Sequence, residues 1–286
     1  MSHIIGSIIT DCADPNARTR QELRFASLFG VHPTFLGVGD KAPGIEAAGD
    51  LLEQLDVATN FPAMPADTRP VILVNVAPRG DSVKRQWDNG TPFCYFTVGN
   101  ALVVSTYAGK SLSLAYSRGL VQSVKLLDIP TVTKAAIAWG DLTTGQAERI
   151  NHTQFRSLEF LPLVALWLTQ GKPVPSTTEQ LTNEPGIRGK VWCIDSFGNA
   201  KTTLLPADVG FEEGKTVILE DGKPATCYRR LADVPKDSSA LTIGSSGYGT
   251  DRFLEVIVQW KDDGFHESDS AVKRHGFSVG SSVLQG

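Results

Sequence analysis

The sequence predicts an α/β protein of two domains: an N-terminal layered α/β domain with a largely parallel sheet, then a smaller C-terminal all-β barrel. Three observations lead there. Strand-like and helix-like segments alternate through the first half, the order that lays helices on the faces of a parallel sheet. The run VILVNVA (residues 71–77) is continuous and β-branched, as a strand buried on both faces requires. Beyond residue 186 the texture changes to short strands separated by Gly, Asp, Asn and Pro turns, with no convincing helix between them.

Taken in order, IIGSIIT (4–10) is a buried strand running into a polar loop from Asp11 to Asn16. Residues 17–29 follow with Phe25, Leu28 and Phe29 on one helical face. HPTFLGV is a second strand, and GIEAAGDLLEQL repeats apolar residues at helical spacing before the turn-rich NFPAMPADTRP. After VILVNVA, the segments FCYFTV and ALVVSTY are strands, AAIAWG is a short apolar run, and FLPLVALWLTQG is a helix that stops at Gly171. GKPVPSTTEQLTNEPG carries three prolines and no period, which marks a boundary. The domains therefore run 1–174 and 187–286, with a linker over 175–186. In the second, KVWCIDSF, KTTLLP, KTVILE, ATCYRR, ALTIGSS, FLEVIVQW and GSSVLQ are the strands.

Composition narrows the function. A chain of 286 residues has ample core to fold without disulfide or metal staples. Its formal charge of −4 counts against nucleic acid as the main partner. Four dispersed cysteines (Cys12, Cys94, Cys193, Cys227) form no C-x-x-C pair and read as buried free thiols of a reducing compartment. The N-terminus lacks the basic and apolar regions of a signal peptide. No stretch reaches the roughly 18 apolar residues that span a bilayer. The expected address is the cytoplasm, without membrane attachment. None of the five histidines pairs at metal-ligand spacing, so no metal is expected.

Three constellations carry chemistry, each with a plain alternative. Asp11 ends the first strand, where ligands of parallel sheets gather. It can take both hydroxyls of a ribose, or it can cap the next helix. The glycine cluster GSSGYG (244–249) resembles a phosphate loop but precedes a strand rather than a helix. Its N–H groups with Ser245 and Ser246 can bind a carboxylate, or it is a hairpin turn. Asp195, Phe197, Gly198 and Asn199 crowd five positions between two strands. Asn can pair with an adenine edge, Phe can stack and Asp can hold an amine, or the segment is a Gly-Asn hairpin turn.

The segment G-x-V-x-x-I-D-x-F-G-N-x-x-T, Gly189 to Thr202, resembles the C-domain signature of the S-adenosyl-L-methionine hydroxide adenosyltransferases, a superfamily that includes the fluorinating and chlorinating enzymes. IITD (8–11), VILVNVAPRGD (71–81), TQFRSLEFLPLVALWLTQGKPV (153–174) and GSSGYGTDRFLEV (244–256) resemble further family segments in the same order. The resemblance implies attack at the 5′ carbon of S-adenosyl-L-methionine with L-methionine leaving, a reaction of positioning and desolvation. It implies that Asp11 holds the ribose, Asn199 and Phe197 the adenine, Asp195 the methionine ammonium and Ser246 its carboxylate. The backbone near Trp260 completes adenine recognition. It also implies a homotrimer with the ligand between subunits, and no cofactor beyond S-adenosyl-L-methionine as substrate.

The departures are specific. The hydrolytic members activate water with an Asp–Arg–His set. Here the Asp position is Ala77, followed by Pro78 and Arg79, and the His position is Phe155, followed by Arg156. The family's Arg falls near Lys84 or Arg85, and its Pro-Asp-Asn-Gly motif reads Thr97, Val98, Gly99, Asn100. Ala77, Arg79, Phe155 and Arg156 are therefore the positions expected to line the nucleophile site. Ala77 and Phe155 would suit a dry halide pocket. Arg79 and Arg156 suit a larger anion such as a carboxylate or phosphate, or they are surface arginines in ordinary salt bridges. The expected protein substitutes or eliminates at the sulfonium without the usual water-activating set. The alternative is a binding protein that kept the adenosine contacts and lost the chemistry.

Overall fold

The computed structural model describes residues 3–60, 65, 67–78, 90–182, 187–261, 264 and 266–285. The N-terminal half is a seven-stranded sheet in the order β2-β1-β3-β5-β4-β6-β7. Its strands are β1 (His3–Thr10), β2 (Thr34–Gly37), β3 (Thr68–Asn75), β4 (Phe93–Val98), β5 (Ala101–Thr106), β6 (Ser123–Leu127) and β7 (Thr177–Gln180). Strands β2, β1, β3 and β5 run parallel, and β4, β6 and β7 join by antiparallel pairs. The sheet is thus mixed around a parallel core rather than largely parallel. The reason is local: β4 and β5 are joined by Gly99 and Asn100, with Gly99 at φ +56°, and a two-residue turn can only fold a chain back antiparallel.

The strand β3 is buried almost throughout, its successive side chains pointing to opposite faces, as a two-faced central strand must. Val71 and Leu73 point into one core with Ile8, Phe25, Phe160 and Trp167. Ile72 and Val74 point into the other with Ile9, Leu51, Leu55 and Val103. The first core is covered by α1 (Pro15–Phe29), α4 (Ile129–Ala138), α5 (Thr144–His152), α6 (Arg156–Glu159) and α7 (Leu161–Thr169). The second lies under α2 (Pro43–Asn60) and α3 (Ser113–Ser117).

The segment expected as a linker instead supplies β7, whose residues pair from Ser123↔Gln180 to Leu126↔Thr177 on the sheet edge. All four of its residues are exposed, so no apolar period marks it. Residues 183–186 lie outside those described.

The second half is a six-stranded, mostly antiparallel sheet, β10-β11-β12-β13-β9-β8. It comprises β8 (Val191–Ile194), β9 (Ala200–Thr202), β10 (Thr216–Ile218), β11 (Pro224–Tyr228), β12 (Ser239–Tyr248) and β13 (Asp251–Val258). Among the described residues the strands do not close into a barrel. The expected last strand, GSSVLQ, instead makes isolated bridges to both sheet edges, Lys190↔Ser282 and Leu219↔Leu284. Two short helices, α8 (Pro206–Val209) and α9 (Ala271–His275), interrupt what read as all-β. Among the described residues no helix is long and apolar enough to cross a membrane. Among the described residues no disulfide joins the four cysteines; Cys94 and Cys227 are buried, Cys12 and Cys193 half-buried.

The helix α2 joins the two halves. Its Gly49 lies where a Cβ would meet the Trp192 ring at 2.0 Å. Glu53 accepts the N–H of Gly247 at 2.7 Å, and Asp56 accepts that of Gly249 at 2.7 Å. Asp56 also pairs with the Arg252 guanidinium at 2.8 Å, its side chain only 4% exposed. These bonds hold the Asp56 carboxyl below the usual range against its burial. Replacing Asp56 by Ala removes the only carboxylate at ion-pair distance from Arg252 among the described residues, leaving it the Ser245 carbonyl, and strands the Gly249 N–H. It is expected to cost about 3–5 kcal/mol in chemical denaturation. A loss below about 1 kcal/mol would show that the clamp contributes little.

Candidate functional site

A cavity of about 680 Å³ opens beyond the carboxyl ends of the parallel strands, where ligands of open α/β sheets bind. Ala77 and Pro78, following β3, line it together with Tyr107 and Lys110 after β5, and Lys41 and Gly44 at the start of α2. Gly44 is bare because a Cβ there would press on the Lys110 backbone nitrogen at 3.2 Å. Asp11 leaves β1 beside these residues, donating its N–H to the Asn75 carbonyl at 3.2 Å and accepting from the Cys12 thiol at 3.6 Å. Gln21 fixes the loop after Asp11 by donating to the Cys12 carbonyl at 3.0 Å. The capping alternative for Asp11 falls to another residue. Asp14 caps α1, accepting from the N–H groups of Asn16 and Ala17.

A second group assembles on the C-terminal sheet at the turn from β8 to β9. One Asp195 carboxylate oxygen accepts the N–H groups of Phe197 and Asn199, each at 2.9 Å. Its other oxygen accepts from Asn199 Nδ2 at 2.9 Å. Gly198 takes φ +71° to complete the turn, donating to the Asp195 carbonyl at 3.0 Å. A hairpin therefore exists, with Asp195 as its keystone, but it is not the two-residue Gly-Asn turn of type I′ or II′ that was the plain alternative. The Asp195 N–H donates to the Asn199 carbonyl at 3.1 Å, so the loop is longer. Its consequence is that Phe197 is held outward, 49% exposed, with its ring centroid 5.7 Å from that of Trp260, itself 43% exposed.

Of the serine loop only the last residue is in a turn: Gly249 and Thr250 join β12 to β13, with Tyr248 paired to Asp251. Gly244 to Tyr248 belong to β12, with a register break between Ile243 and Gly247. Gly247 at φ +136° admits no side chain, since a Cβ would meet the Asp251 carbonyl at 2.2 Å. Two of the loop's backbone N–H groups bind carboxylates, as its composition invited, but the carboxylates are Glu53 and Asp56 of the same chain. Ser246 is buried and accepts from Lys201 Nζ at 3.1 Å, while Ser245 is exposed. Lys201 also lies 3.9 Å from Glu255. Burial raises the Glu255 and Glu53 carboxyls, and burial with Glu46 and Glu53 pushes Asp50 up to about 7. The Cys193 thiol, buried beside Asp50, is pushed up to about 11, so it is no ready nucleophile.

The remaining expected residues fall elsewhere. Phe155 lies under the Arg20 guanidinium of α1 at 5.1 Å, and Arg156 lies over the Phe93 ring at 5.3 Å. Neither is among the residues lining the cavity that Ala77 faces. Among the described residues Arg156 has no carboxylate partner, and burial lowers its pKa, so the ordinary salt bridge is not what holds it. Thr97 to Asn100 form the end of β4 and the turn into β5, at the opposite end of the sheet from the cavity. Arg79, Lys84 and Arg85 lie outside the described residues. The sequence reading missed Lys41, Lys110, Tyr107 and Tyr116, which line the cavity. Neither lysine has a carboxylate partner among the described residues. The LVVSTYAGK stretch, a buried strand running into a Gly-containing loop, was the available signal.

Asp195 is expected to matter to stability before it matters to any ligand. Asp195→Ala, which removes three accepted hydrogen bonds, should cost about 2–3 kcal/mol, and Asp195→Asn about half of that. Denaturation curves for the two variants check this, and equal effects would show that the charge rather than the bond geometry is what counts.

No protein-family model matches the chain, and no curated protein matches it. Among solved structures, an uncharacterized conserved protein from Thermotoga maritima superposes with a TM-score of 0.60 at 15% identity, over 99% of this chain and 100% of that one. A conserved hypothetical protein from Thermus thermophilus superposes with a TM-score of 0.56 at 21% identity, again over 99% and 100%. At such identities the likeness is one of fold, and it extends over both halves of the molecule.

Proposed function

We propose that the protein is a divergent S-adenosyl-L-methionine-utilising enzyme that substitutes or eliminates at the 5′ carbon and releases L-methionine. The observation carrying this reading is the exposed Phe197–Trp260 pair beside Asn199. Two large aromatic side chains that are each nearly half exposed, next to a side-chain amide, suit a purine. Asn199 commits one N–H to Asp195. Among the described residues its carbonyl oxygen and second N–H remain for an adenine edge. Asp195 uses three of the roughly four acceptor positions of a carboxylate on its own turn, leaving one for an ammonium group.

On this reading Asp11 holds the ribose beside the cavity, and Ser245 is the serine that reaches the methionine end. Three copies assemble so that each ligand also meets a neighbouring subunit. Ala77 offers no proton acceptor to a water, so the nucleophile is not hydroxide made by the family's route. That same absence favours the second reading, a protein that binds S-adenosyl-L-methionine or adenosine without reaction.

The test is incubation with S-adenosyl-L-methionine, with and without halide, followed by mass spectrometry of methionine and nucleoside products. Methionine with an equal amount of a 5′-substituted or eliminated nucleoside, above the no-enzyme control, is the expected result. Intact ligand that raises the melting temperature would establish the binding protein instead. Neither effect would overturn both readings. Asn199→Ala should weaken binding of the nucleoside by about 1–3 kcal/mol beyond any change in fold stability, read by calorimetric titration.

A further inference from the structure

On the face opposite α2, three arginines converge on a cavity of about 580 Å³ between α1, α5 and the start of α7. Arg20 and Arg24 come from one face of α1, spaced four apart so that they stand one above the other. Arg149 comes from α5. One carboxylate answers them: Glu159, which pairs with Arg149 at 2.5 Å. Among the described residues neither Arg20 nor Arg24 has a carboxylate at ion-pair distance, although Arg20 lies over the Phe155 ring. Arg24 is half-buried. Burial holds its guanidinium below its usual pKa; the Glu159 carboxylate opposes that effect and Arg149 adds to it by a smaller amount. Ser27 and Gln146 add polar groups to the rim, and Leu23 beside them is 59% exposed.

A chain of net charge −4 that gathers three guanidiniums around a concave site and neutralises one of them has built an uncompensated cationic pocket. We infer that this pocket binds the phosphate group of a small organic phosphate, separately from the strand-end cavity. A phosphate monoester carries roughly two negative charges near neutral pH. That matches the surplus of two positive charges left by three arginines and one glutamate, whereas a monocarboxylate would match only one of them. Planar guanidinium forks suit phosphate oxygens, and the exposed Leu23 gives an apolar body a surface to lie on. The concavity and the acidic remainder of the molecule disfavour an extended polyanion.

The experiment is calorimetric titration of the full chain with inorganic phosphate and with pyrophosphate at low ionic strength, where screening is weak. Saturable one-to-one binding is expected, tighter for pyrophosphate. It should weaken roughly tenfold in Arg24→Gln and less in Arg24→Lys, which keeps the charge and loses the fork. Glu159→Gln removes the competing carboxylate and should tighten binding several-fold. This second variant keeps the test alive should Arg24→Gln fold poorly, which its melting curve would reveal. Absence of saturable binding, or affinity unmoved by both Arg24→Gln and Glu159→Gln, would overturn the inference. So would tighter binding of a single-stranded oligonucleotide than of pyrophosphate.

Discussion

Everything in the molecule depends on the carboxylates along α2. The helix buries Leu51 and Leu55 against the N-terminal sheet. From its side it offers Glu53 and Asp56 to the backbone of the hairpin formed by β12 and β13. One rigid element thus belongs to both halves, and its first turn borders the strand-end cavity. The sequence accepts two local penalties for this. A mid-helix glycine costs up to about 1 kcal/mol in propensity, yet Gly49 stands where the Trp192 ring leaves no room for a Cβ. Asp56 is buried with its charge, a position worthwhile only because the Arg252 guanidinium and two donors, Gly249 N–H and Asn60 Nδ2, satisfy it.

The same stripe sets the electrostatics of the C-terminal group. Glu46, Asp50 and Glu53 face the region of Cys193, Lys201 and Glu255, and burial raises several of these carboxyls. Lys201 is the cation in their midst, divided between Ser246 and Glu255. An arriving ammonium group meets an acidic field and is favoured. An arriving carboxylate meets the opposite, and two of the N–H groups that would have received it are already bound to Glu53 and Asp56. The Asp195 end of this group is therefore better matched to its expected partner than the Ser246 end.

What could be read from the sequence divides along physical lines. Strands such as VILVN and helices such as GIEAAGDLLEQL were legible because burial imposes a period on them. β7 was not, because an exposed edge strand needs no apolar residue; Thr177 to Gln180 pair through backbone alone. The parallel count was overestimated because the strand-forming runs on either side of Gly99–Asn100 were recognised and the turn between them was not. For the candidate sites, a dense run of polar and aromatic residues between two strands made the Asp195 to Asn199 turn legible. The arrival of Arg149 beside the Arg20–Arg24 pair was not, because it arises from the packing of α1 against α6 and α7 and has no spacing in the chain.

The strand-end cavity adds a constraint that the residue pattern alone did not hold. Its described wall holds one carboxylate, Asp40, and two lysines, Lys41 and Lys110, neither of them at ion-pair distance from a carboxylate among the described residues. On the proposed reaction a sulfonium cation would approach two like charges, which raises the energy of the bound substrate by an amount that depends on its distance and on the water left between them. Transfer converts that sulfonium to a neutral thioether, so the repulsion vanishes as the bond breaks. The same lysines attract an anionic nucleophile. The two lysines outnumber Asp40 in this wall; they oppose the reactant cation, relax on forming its neutral product and recruit an anion, which is a way to promote displacement that does not rest on taking a proton from water.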